Sequence, residues 1–356
     1  MSSNHMPLKH FRIVGAGLIG TSIALGLASH GHTVDVDDSD ANARKLARDL
    51  VGKNLATKVP DMVIVATPPE SIFYVLQTEY RLHPQSVFID VGSVKTKLLH
   101  EVEAFPEISK KFVGTHPMAG REFSGAASAQ SDLFQGRAWI LTRTSNSAPE
   151  VVDVVTQFVE TLGATAYEMD AESHDELLAR ISHLPQALST VLAGSLVGIG
   201  EGMELSGQGL RDTTRLADSD ALLWSDIFLQ NREAILQAVQ DFSAELERLR
   251  TAISINDRSE IEKIFSRGKQ GRSRVSGKHG SKPRDYVHLM IVIKDEPGAL
   301  KQLFEECAVV NANIEDLSIE HSPKQETGLI TLAFSPDDAN RVKKYLVARQ
   351  WKVHER

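Results

Sequence analysis

Short apolar runs alternate with helical patterns over the first part of the chain. Four β-branched runs lie at Phe11–Val14, Thr33–Val36, Met62–Ala66 and Val87–Val91, and a helical pattern at Thr21–Ser29 separates the first two. Apolar runs separated by helical patterns are typical of parallel strands joined by crossover helices. The pattern therefore predicts an α/β domain built on a parallel sheet.

Three later segments complete this first domain, which we place at 8–169. Trp139–Thr142 and Ala164–Tyr167 are predicted strands, and the amphipathic pattern Val151–Leu162 predicts a helix between them. The segment 41–60 is short for a helix, a strand and a second helix. This half of the sheet is therefore predicted to be trimmed.

Strand patterns stop after the first domain, and apolar residues at helical spacing take over. The clearest series is Ile227, Leu229, Ile235, Val239, Phe242, Leu246 and Leu249. Such spacing places apolar side chains on one helical face, so 170–266 is predicted to be an all-helical domain. Its stretch Ala187–Gly200, rich in small residues, is predicted to form a buried helix and is a candidate for packing between two subunits.

A polar, basic segment at 267–284 follows, with Val275 as its one apolar residue. Such a segment cannot form a core, so it is predicted to be a linker; the alternative, a nucleic-acid patch, lacks interleaved aromatic residues. The remainder, 285–356, is predicted to follow the order β-α-β-β-α-β of the ferredoxin-like fold. Its predicted elements are Val287–Ile293, Pro297–Val309, Ile314–His321, Gly328–Phe334, Asp337–Arg349 and Trp351–His354.

Composition narrows the class of protein. A chain of 356 residues with 42% hydrophobic content has room for about two to three domains. The net charge of -8 argues against a nucleic-acid binder. Cys307 is the single cysteine, which excludes an intrachain disulfide and a cysteine-based metal site and fits the cytoplasm. The stretch Ala187–Gly200 is too short for a bilayer core of about 30 Å, so no membrane association is predicted.

A glycine motif predicts a dinucleotide site. Gly15, Gly17 and Gly20 directly follow a predicted strand, and Leu18 and Ile19 open the next helix. In such a motif the first glycine permits a tight turn, the second lets a pyrophosphate approach and the third lets helix and strand pack closely. The helix start supplies amides and a positive dipole for the phosphates. The alternative is a glycine-rich turn without a ligand.

Two aspartates end the next predicted strand, at the place where an acidic side chain bonds the ribose 2′-hydroxyl and repels a 2′-phosphate. Asp37 and Asp38 are both candidates, and we prefer Asp38. NAD is therefore predicted over NADP. Thr67, directly after the run Met62–Ala66, is assigned to the same cofactor site.

Two polar residues near predicted strand ends are candidates for catalysis. Ser93 lies just past the strand Val87–Val91, at the carboxyl edge where open α/β sheets bind ligands. His116 is predicted to lie in a glycine-flanked loop after a strand at Phe112–Val113. An imidazole there can take the proton of a substrate hydroxyl while the neighbouring carbon loses hydride. The alternative for His116 is a satisfied core residue.

Four segments resemble the signature segments of prephenate dehydrogenases: Asp90–Lys95, His116–Gly120, Ser182–Pro185 and Arg211–Arg215. With them, the similarity spans roughly Ile13 to Phe265. The resemblance implies a cytoplasmic, NAD-dependent oxidoreductase of tyrosine biosynthesis. It would oxidatively decarboxylate prephenate to 4-hydroxyphenylpyruvate and act as a homodimer paired through the helical domain.

The resemblance also implies residue roles. His116 would bond the ring hydroxyl of the substrate, and Ser93 would orient that hydroxyl and the imidazole. Arg215 would hold a substrate carboxylate, a role that suits the planar fork of a guanidinium. Arg211 either assists or is a surface residue in a salt bridge.

Ser182 and His183 are implied to line the pocket near nicotinamide and substrate, and the alternative for His183 is capping or packing. One position departs from the family. Gln186 stands where many members have a second histidine, and a neutral amide cannot carry positive charge toward a carboxylate. Arogenate, which carries an amino-acid side chain, is therefore an alternative substrate, and prephenate or arogenate preference stays open.

The turn from Asp295 to Leu300 resembles the signature of ACT domains, and Asn311–Ile319 continues that pattern. ACT domains bind small amino acids, usually between paired copies. The resemblance implies feedback sensing of an aromatic amino acid such as tyrosine, and the alternative is a module that only dimerises. The residues implied to contact the regulatory ligand are Asp295, Gly298, Ala299 and Asn313.

Other functions compete with the leading one. An arogenate or dual-specificity dehydrogenase and a 3-hydroxyacid dehydrogenase are rivals among enzymes, although the latter would usually use a lysine. A non-catalytic NAD-linked amino-acid sensor is the rival from another class. A sensor needs none of Ser93, His116 and Arg215, so their joint presence favours an enzyme.

Overall fold

The computed structural model describes residues 8–52, 59–120, 125–275, 286–294, 296–321 and 327–355. The chain divides into two compact units, one ending at Arg248 and the other beginning at Leu249. Within the described ranges, no helix has both the length and the apolar character needed to cross a membrane.

A seven-stranded sheet in the order β2-β1-β3-β4-β5-β6-β7 forms the centre of the first unit. Its strands are β1 (His10–Val14), β2 (Thr33–Asp37), β3 (Met62–Val65), β4 (Val87–Asp90), β5 (Phe112–Pro117), β6 (Ala138–Arg143) and β7 (Thr165–Glu168). The prediction of a parallel sheet is confirmed for β1 to β5. β6 runs antiparallel to β5 and parallel to β7.

Helices cover both faces of this sheet. They are α1 (Leu18–Ser29), α2 (Ala41–Val51), α3 (Ile72–Leu82), α4 (Thr96–Glu103), α5 (Pro106–Ser109) and α6 (Pro149–Thr161). Successive side chains of a strand point to opposite faces, so on β3 Met62 and Ile64 join one buried apolar cluster while Val63 and Val65 join the other. This explains why the central strand is an uninterrupted apolar run.

The predicted trimming of one half of the sheet is confirmed for the described residues. In 38–52 and 59–61, the described residues of this connection, a single helix, α2, lies between β2 and β3, and β2 is an edge strand. The side of the glycine motif that would face a ribose is therefore next to the sheet edge.

His116 lies inside β5 and not in a loop, so that prediction is wrong. Parallel pairing of β5 with β4 covers Phe112 and Val113, as expected. The antiparallel pairing with β6 extends further, and it matches His116 with Ile140. The ladder with β6 therefore lengthens the strand and fixes the backbone of the histidine.

The rest of the first unit is helical, which confirms the prediction for the described residues. Its elements are α7 (Ala171–Leu178), a π-helical segment (Ala179–His183), α8 (Leu184–Ser195), a 3-10 turn (Met203–Leu205), α9 (Gln208–Thr214), a second 3-10 turn (Arg215–Asp218), α10 (Ala221–Gln230) and α11 (Arg232–Ser254). Helix α11 continues past the boundary between the two units.

For a single subunit, the prediction of a buried helix over Ala187–Gly200 is wrong. The helix ends at Ser195, and Gly198 adopts a φ of +92°, which an α-helix does not allow. Val191 is 71% exposed and Val197 is 86% exposed. These apolar side chains find too few neighbours in their own chain to be buried.

The second unit begins with the end of α11 and with α12 (Arg258–Ser273). α12 runs to Ser273, into the segment predicted to be a linker; residues 267–273 contain no proline, and their Lys, Arg and Gln residues favour helix. The bounds of the linker stay a prediction. Residues 276–284 of the predicted linker lie outside the described residues.

A four-stranded antiparallel sheet in the order β11-β8-β10-β9 forms the rest of the second unit. Its elements are β8 (Val287–Lys294), α13 (Ala299–Val309), β9 (Asp316–His321), β10 (Thr327–Phe334), α14 (Pro336–Ala348) and β11 (Lys352–Glu355). Leu289, Leu303, Ile330 and Val342 are among the residues of its buried core. The predicted ferredoxin-like βαββαβ fold is confirmed.

Candidate active site

The three glycines of the motif have different surroundings. Gly15 adopts a φ of +113°, and a Cβ there would lie 2.2 Å from the carbonyl oxygen of Ala66. A Cβ on Gly20 would lie 2.0 Å from the carbonyl oxygen of Gly15, whereas a Cβ on Gly17 would meet nothing within 4 Å. Packing therefore requires the first and third glycines, and the second faces open space at the start of α1, where a pyrophosphate can approach.

The two aspartates after β2 have different partners. The Asp37 carboxylate receives hydrogen bonds from Arg12 at 2.9 Å and from Arg44 at 3.3 Å. Burial opposes its ionisation, but these bonds lower the pKa of Asp37. Asp38 instead accepts from the Ala16 amide at 2.6 Å, inside the glycine motif. Asp37 is thus engaged by arginines, and Asp38 lies against the cofactor loop.

Polar groups near the same loop have no partner among the described residues. The hydroxyls of Thr67, which follows β3, and Thr21, in the first turn of α1, are buried without a hydrogen bond. Gly17 is the N-cap of α1 and offers no side chain to the amides at the helix start, where Leu18 and Ile19 lie. Buried polar groups without partners call for an explanation, and a bound dinucleotide phosphate is one that fits.

The loop between β4 and α4 is held by a buried ion pair. Lys95 is fully buried and forms a salt bridge with Asp90 at the end of β4. The same carboxylate accepts the amide N–H of Gly92 at 2.7 Å and that of Thr115 at 3.1 Å. The loop is therefore fixed to β5, the strand that carries His116.

Ser93 lies within this loop and is partly exposed. Among the described residues, no hydrogen bond joins its hydroxyl to His116. The predicted orienting role of Ser93 therefore stays a prediction.

His116 is partly exposed and is bonded to a buried histidine. Its Nδ1 lies 2.9 Å from Nε2 of His174, whose Nδ1 lies 2.7 Å from Oδ1 of Asp175. Burial of most of the imidazole lowers the pKa of His116 well below its usual range, and His174, Lys95 and His183 lower it further. The imidazole is therefore neutral near pH 7 and is able to accept a proton.

The π-helical segment carries Ser182 and His183. Ser182 is partly exposed, whereas His183 is 1% exposed and its ring contacts Trp224 edge-on. Asn231 donates its amide hydrogens to Nδ1 of His183 at 3.1 Å and to the backbone oxygen of Asp175 at 2.8 Å. Burial lowers the pKa of His183 to about 4. His183 is therefore neutral, with its proton on Nε2 because Nδ1 accepts.

Gln186 connects α8 to the turn Arg215–Asp218. Its Nε2 donates to the backbone oxygen of Leu216 at 2.7 Å and to the hydroxyl of Thr190 at 3.3 Å, and the Ser219 hydroxyl lies 3.4 Å from its Oε1. Both hydrogens of the amide thus have acceptors within the chain. The side chain fixes the position of the turn.

Arg215 is the first residue of that turn, and it is exposed. Arg211, also exposed, donates from Nε to Gln208 at 3.1 Å and from Nη1 to the backbone oxygen of Ser206 at 2.9 Å. Two of the three guanidinium nitrogens of Arg211 are therefore engaged by its own helix and the preceding turn.

Four residues that hold the candidate site in place were missed by the sequence analysis. Lys95 is the last residue of the segment Asp90–Lys95, and the sequence analysis gave it no role. His174 and Asp175 form an adjacent pair eight residues before Ser182 and His183, a signal that was available. A polar pair on a helix is usually a solvated face, and only the fold shows that this one is buried. The fourth residue, Asn231, gave no sequence signal.

The second unit contains a cavity of about 210 Å³ at the start of α13. It is lined by Ile293, Lys294, Glu296, Pro297, Gly298, Ala299, Leu300, Ile319, Gly328 and Ile330. Two of the predicted ligand contacts, Gly298 and Ala299, are in this lining. Asn313 is not in it, and its amide donates to Glu315 at 3.0 Å. Asp295 lies outside the described residues.

Comparison with known proteins identifies both parts of the catalytic region. The family model of the prephenate dehydrogenase nucleotide-binding domain matches residues 23–168, and that of the prephenate dehydrogenase dimerization domain matches residues 170–267. These ranges together contain the π-helical segment, His116 and Arg215.

Relatives of known name agree with the family models. The cyclohexadienyl dehydrogenase of Zymomonas mobilis is 31% identical over 77% of this chain and 99% of its own length. The prephenate dehydrogenase of Bacillus subtilis is 28% identical over 95% of both chains. The crystal structure of prephenate dehydrogenase from Aquifex aeolicus with hydroxyphenyl propionate and NAD+ is 28% identical, covers 76% of this chain and 99% of that one, and has a TM-score of 0.70. The predicted resemblance is confirmed, and the chain belongs to the prephenate dehydrogenase family.

Proposed function

We propose that in this NAD-linked prephenate dehydrogenase His116 is the base that handles the proton of the ring hydroxyl. The observation that carries this proposal is the neutral, mostly buried imidazole on β5, whose Nδ1 is held by His174. Its Nε2 is left to face a substrate. A base works best when its pKa lies below the working pH but close enough to accept a proton in the transition state.

The residues of the chain would act in the following order. His116 draws the hydroxyl proton as the ring carbon that bears the hydroxyl gives up hydride, and bound NAD supplies the hydride acceptor. The ring carboxylate then leaves as carbon dioxide, and its electron pair completes the aromatic ring. His116 returns the proton to the phenolic oxygen. Aromatisation provides the driving force, so the protein needs mainly to position and polarise the substrate.

The substrate carboxylates would be held on the helical side of the site. Arg215 is proposed to bind one of them through its planar guanidinium. Arg211 assists through the guanidinium nitrogen that is not engaged in its bonds to Gln208 and Ser206. Gln186 supports Arg215 by fixing the turn that carries it. Ser182 and His183 are proposed to line the pocket, with the Nε2 proton of His183 as a donor.

The cofactor would bind at the glycine motif, with Asp38 on the adenosine ribose and Thr67 near the phosphates or nicotinamide. An acid at this place disfavours a 2′-phosphate. The test is the ratio of kcat/KM for NAD to that for NADP. Replacing Asp38→Ser should lower this ratio at least tenfold, while Asp49→Ser, an exposed aspartate on α2, should leave it unchanged. An unchanged ratio in the Asp38 variant would exclude that role.

Arogenate or dual specificity is the second candidate for the substrate. The cyclohexadienyl name of the Zymomonas mobilis relative and the presence of Gln186 favour it. The experiment is initial-rate NADH formation with prephenate and arogenate offered separately. Turnover of prephenate alone would exclude the second candidate. Oxidation of neither substrate would overturn the catalytic proposal and favour an NAD-linked sensor.

A homodimer is proposed on the basis of the dimerization-domain match and of exposed apolar side chains. Those exposed by more than half in the helical part of the first unit include Val191, Val197, Leu205, Leu222, Leu229, Leu236 and Leu246. Apolar side chains in such numbers mark an interaction surface. Light scattering should give twice the mass of 39.1 kDa. A monomer at micromolar concentration would contradict the proposal. A cytoplasmic location stays a prediction.

Feedback regulation is proposed for the second unit. The cavity of about 210 Å³ is smaller than the usual pocket for a drug-sized ligand, about 300–1,000 Å³, and suits a small amino acid. Lys294 and Glu296 offer charges for the carboxylate and ammonium groups, and Ile319 offers apolar contact. Tyrosine should inhibit the enzyme, and Gly298→Val should abolish the inhibition while the uninhibited rate is preserved. Inhibition that persists in the variant would place the effector elsewhere.

A further inference from the structure

Two hydrogen bonds connect three side chains in series, beginning at the proposed base. His116 is joined through Nδ1 to Nε2 of His174 at 2.9 Å, and His174 is joined through Nδ1 to Oδ1 of Asp175 at 2.7 Å. His174 is 0% exposed and Asp175 is 4% exposed. The two imidazole rings meet edge to face, with centroids 5.1 Å apart. Water therefore has little access to the two hydrogen bonds that join these side chains.

The positions of the protons on these three side chains follow from the hydrogen bonds of Asp175, the last of the three. Asp175 also accepts the amide N–H groups of Lys95 at 2.9 Å and Thr96 at 2.8 Å. Burial alone would raise the pKa of Asp175, but the bonds from His174 and from these amides lower it. An ionised carboxylate only accepts hydrogen bonds, so Nδ1 of His174 carries a proton. Nε2 of His174 can then accept, in which case Nδ1 of His116 donates.

We infer that His174 and Asp175 are positioning residues for the hydride-transfer reaction. They hold His116 in the tautomer whose Nε2 lone pair faces the substrate hydroxyl, and the Asp175 carboxylate stabilises, through His174, the positive charge that His116 gains when it takes the proton. This inference rests on the proposed function, in which His116 is the base. Neither residue needs to touch the substrate.

The charges around His116 leave this task to Asp175. His174, Lys95 on the β4–α4 loop and His183 on the π-helical segment all disfavour a positive charge on His116. Asp90 is engaged in the salt bridge with Lys95. Within the part of the chain that the structure describes, Asp175 is the carboxylate connected to His116 by hydrogen bonds, through His174.

The first test replaces Asp175→Asn. The amide places N–H groups where His174 and the backbone amides donate, so it disfavours the productive tautomer. We expect kcat to fall roughly 10²- to 10³-fold, with KM for prephenate and the affinity for NAD within about threefold. The acid limb of kcat/KM, which in the wild type lies below pH 6.5, should move to still lower pH because the protonated His116 loses its counter-charge.

The matched control is Glu176→Gln, which removes the same charge from the adjacent, exposed position of α7. It should change neither kcat nor the pH profile. A loss in the Asp175 variant without movement of the acid limb would show a structural role only and would overturn the inference.

The second test compares His174→Gln with His174→Leu, because Asp175 also binds the start of α4 and its replacement can affect folding. The two new side chains have similar size. Glutamine can accept from His116 and donate to Asp175, whereas leucine can do neither. We expect the glutamine variant to keep at least tenfold more kcat than the leucine variant. Equal activities would show that His174 only fills space and would overturn the inference.

Two further measurements separate this inference from the proposed function. NADH formation from prephenate by the wild type, and its loss in His116→Asn, test the base itself. If the wild type oxidises neither prephenate nor arogenate, the proposed function and the inference both fail. If the wild type is active and His174→Leu and Asp175→Asn match it in kcat and pH profile, only the inference fails.

Discussion

The two sides of the candidate active site are held in different ways. On the base side, His116 lies on a central strand and bonds to a histidine that is 0% exposed. On the carboxylate side, Arg215 is exposed at the start of a short 3-10 turn, which Gln186 fixes through one backbone oxygen. The base is therefore placed in advance by the core of the fold, while the carboxylate side depends on a few polar contacts.

This difference predicts that the two sides of the site contribute to different kinetic parameters. A rigid, desolvated base favours the chemical step, because its protonation state and orientation are set before the substrate arrives. A more exposed arginine can exchange water for the carboxylate of an incoming anion, which helps a protein with a net charge of -8 to bind it. Changes on the base side should therefore appear mainly in kcat, and changes on the other side mainly in KM.

The largest effect is expected on the base side, from His116→Asn. The variant should lose about 10³-fold in kcat, because general-base catalysis contributes on the order of 10²- to 10⁴-fold, and should keep its affinity for NAD. Stopped-flow or steady-state NADH formation measures the first quantity, and fluorescence titration measures the second. His100→Asn, at an exposed histidine on α4, is the control. Near-normal turnover in the His116 variant would remove the contrast between the two sides.

Arg215→Lys should be the largest effect on the carboxylate side. A lysine keeps the charge but loses the bidentate bonds, each worth about 1.5–3 kcal/mol, so kcat/KM for prephenate should fall about 100-fold, mostly through KM. Arg180→Lys, at an exposed arginine bonded to Asp241, is the matched control. A loss confined to kcat would show that Arg215 acts in the chemical step, and it would contradict the assignment of KM effects to the carboxylate side.

A pH effect on stability should sharpen the description of the helical side of the site, where His183 lies. His183 has a folded pKa of about 4, below its ordinary value of 6.5. Between those values the unfolded chain binds a proton that the folded chain does not, so stability is full above pH 6.5 and falls as the pH is lowered toward 4. From pH 7.5 to 5 the wild type should lose about 2 kcal/mol from this group.

The measurement is urea unfolding of the wild type and of His183→Gln at both pH values. The variant lacks the titrating imidazole, so its loss of stability between pH 7.5 and 5 should be smaller by about 2 kcal/mol. His100→Gln should match the wild type. Identical losses in the His183 variant and the wild type would show that the ring is not held neutral by burial.

The smallest effect is expected from Gln186→Ala. Loss of its bond to the Leu216 oxygen, worth about 1 kcal/mol, should loosen the turn that carries Arg215 and raise KM for prephenate about fivefold with little change in kcat. Gln237→Ala, at an exposed glutamine bonded to Asp241, is the control. A large drop in kcat would show that Gln186 acts on the chemistry and not on the turn.

Local patterns predicted the cofactor loop well because its requirements are local. The motif places Gly15 at the turn, Gly17 at the helix start and Gly20 against Gly15, and these three positions lie within six residues of the sequence. The βαββαβ order of the second unit was predicted for the same reason, since each element has its own periodicity. The resemblance to known motifs then identified the family.

Errors arose where non-local contacts decide the outcome. The strand character of His116 depends on the pairing of β5 with β6, more than twenty residues further along the chain. The exposure of Val191 and Val197 depends on what surrounds α8 and not on their own apolar character. Composition shows that the segment from 267 forms no core, not that it is non-helical, and α12 continues in it to Ser273.

The sequence by itself determined the identity of the proposed base, the cofactor loop and the family, because those are carried by residue types at short spacing. Tertiary structure alone decided which neighbours His116 has. His174 and Asp175 are 58 and 59 positions away in the chain, and only the packing of α7 against β5 and α4 brings them to hydrogen-bonding distance. Proton position and pKa depend on such contacts and on burial, and these are properties of the folded core.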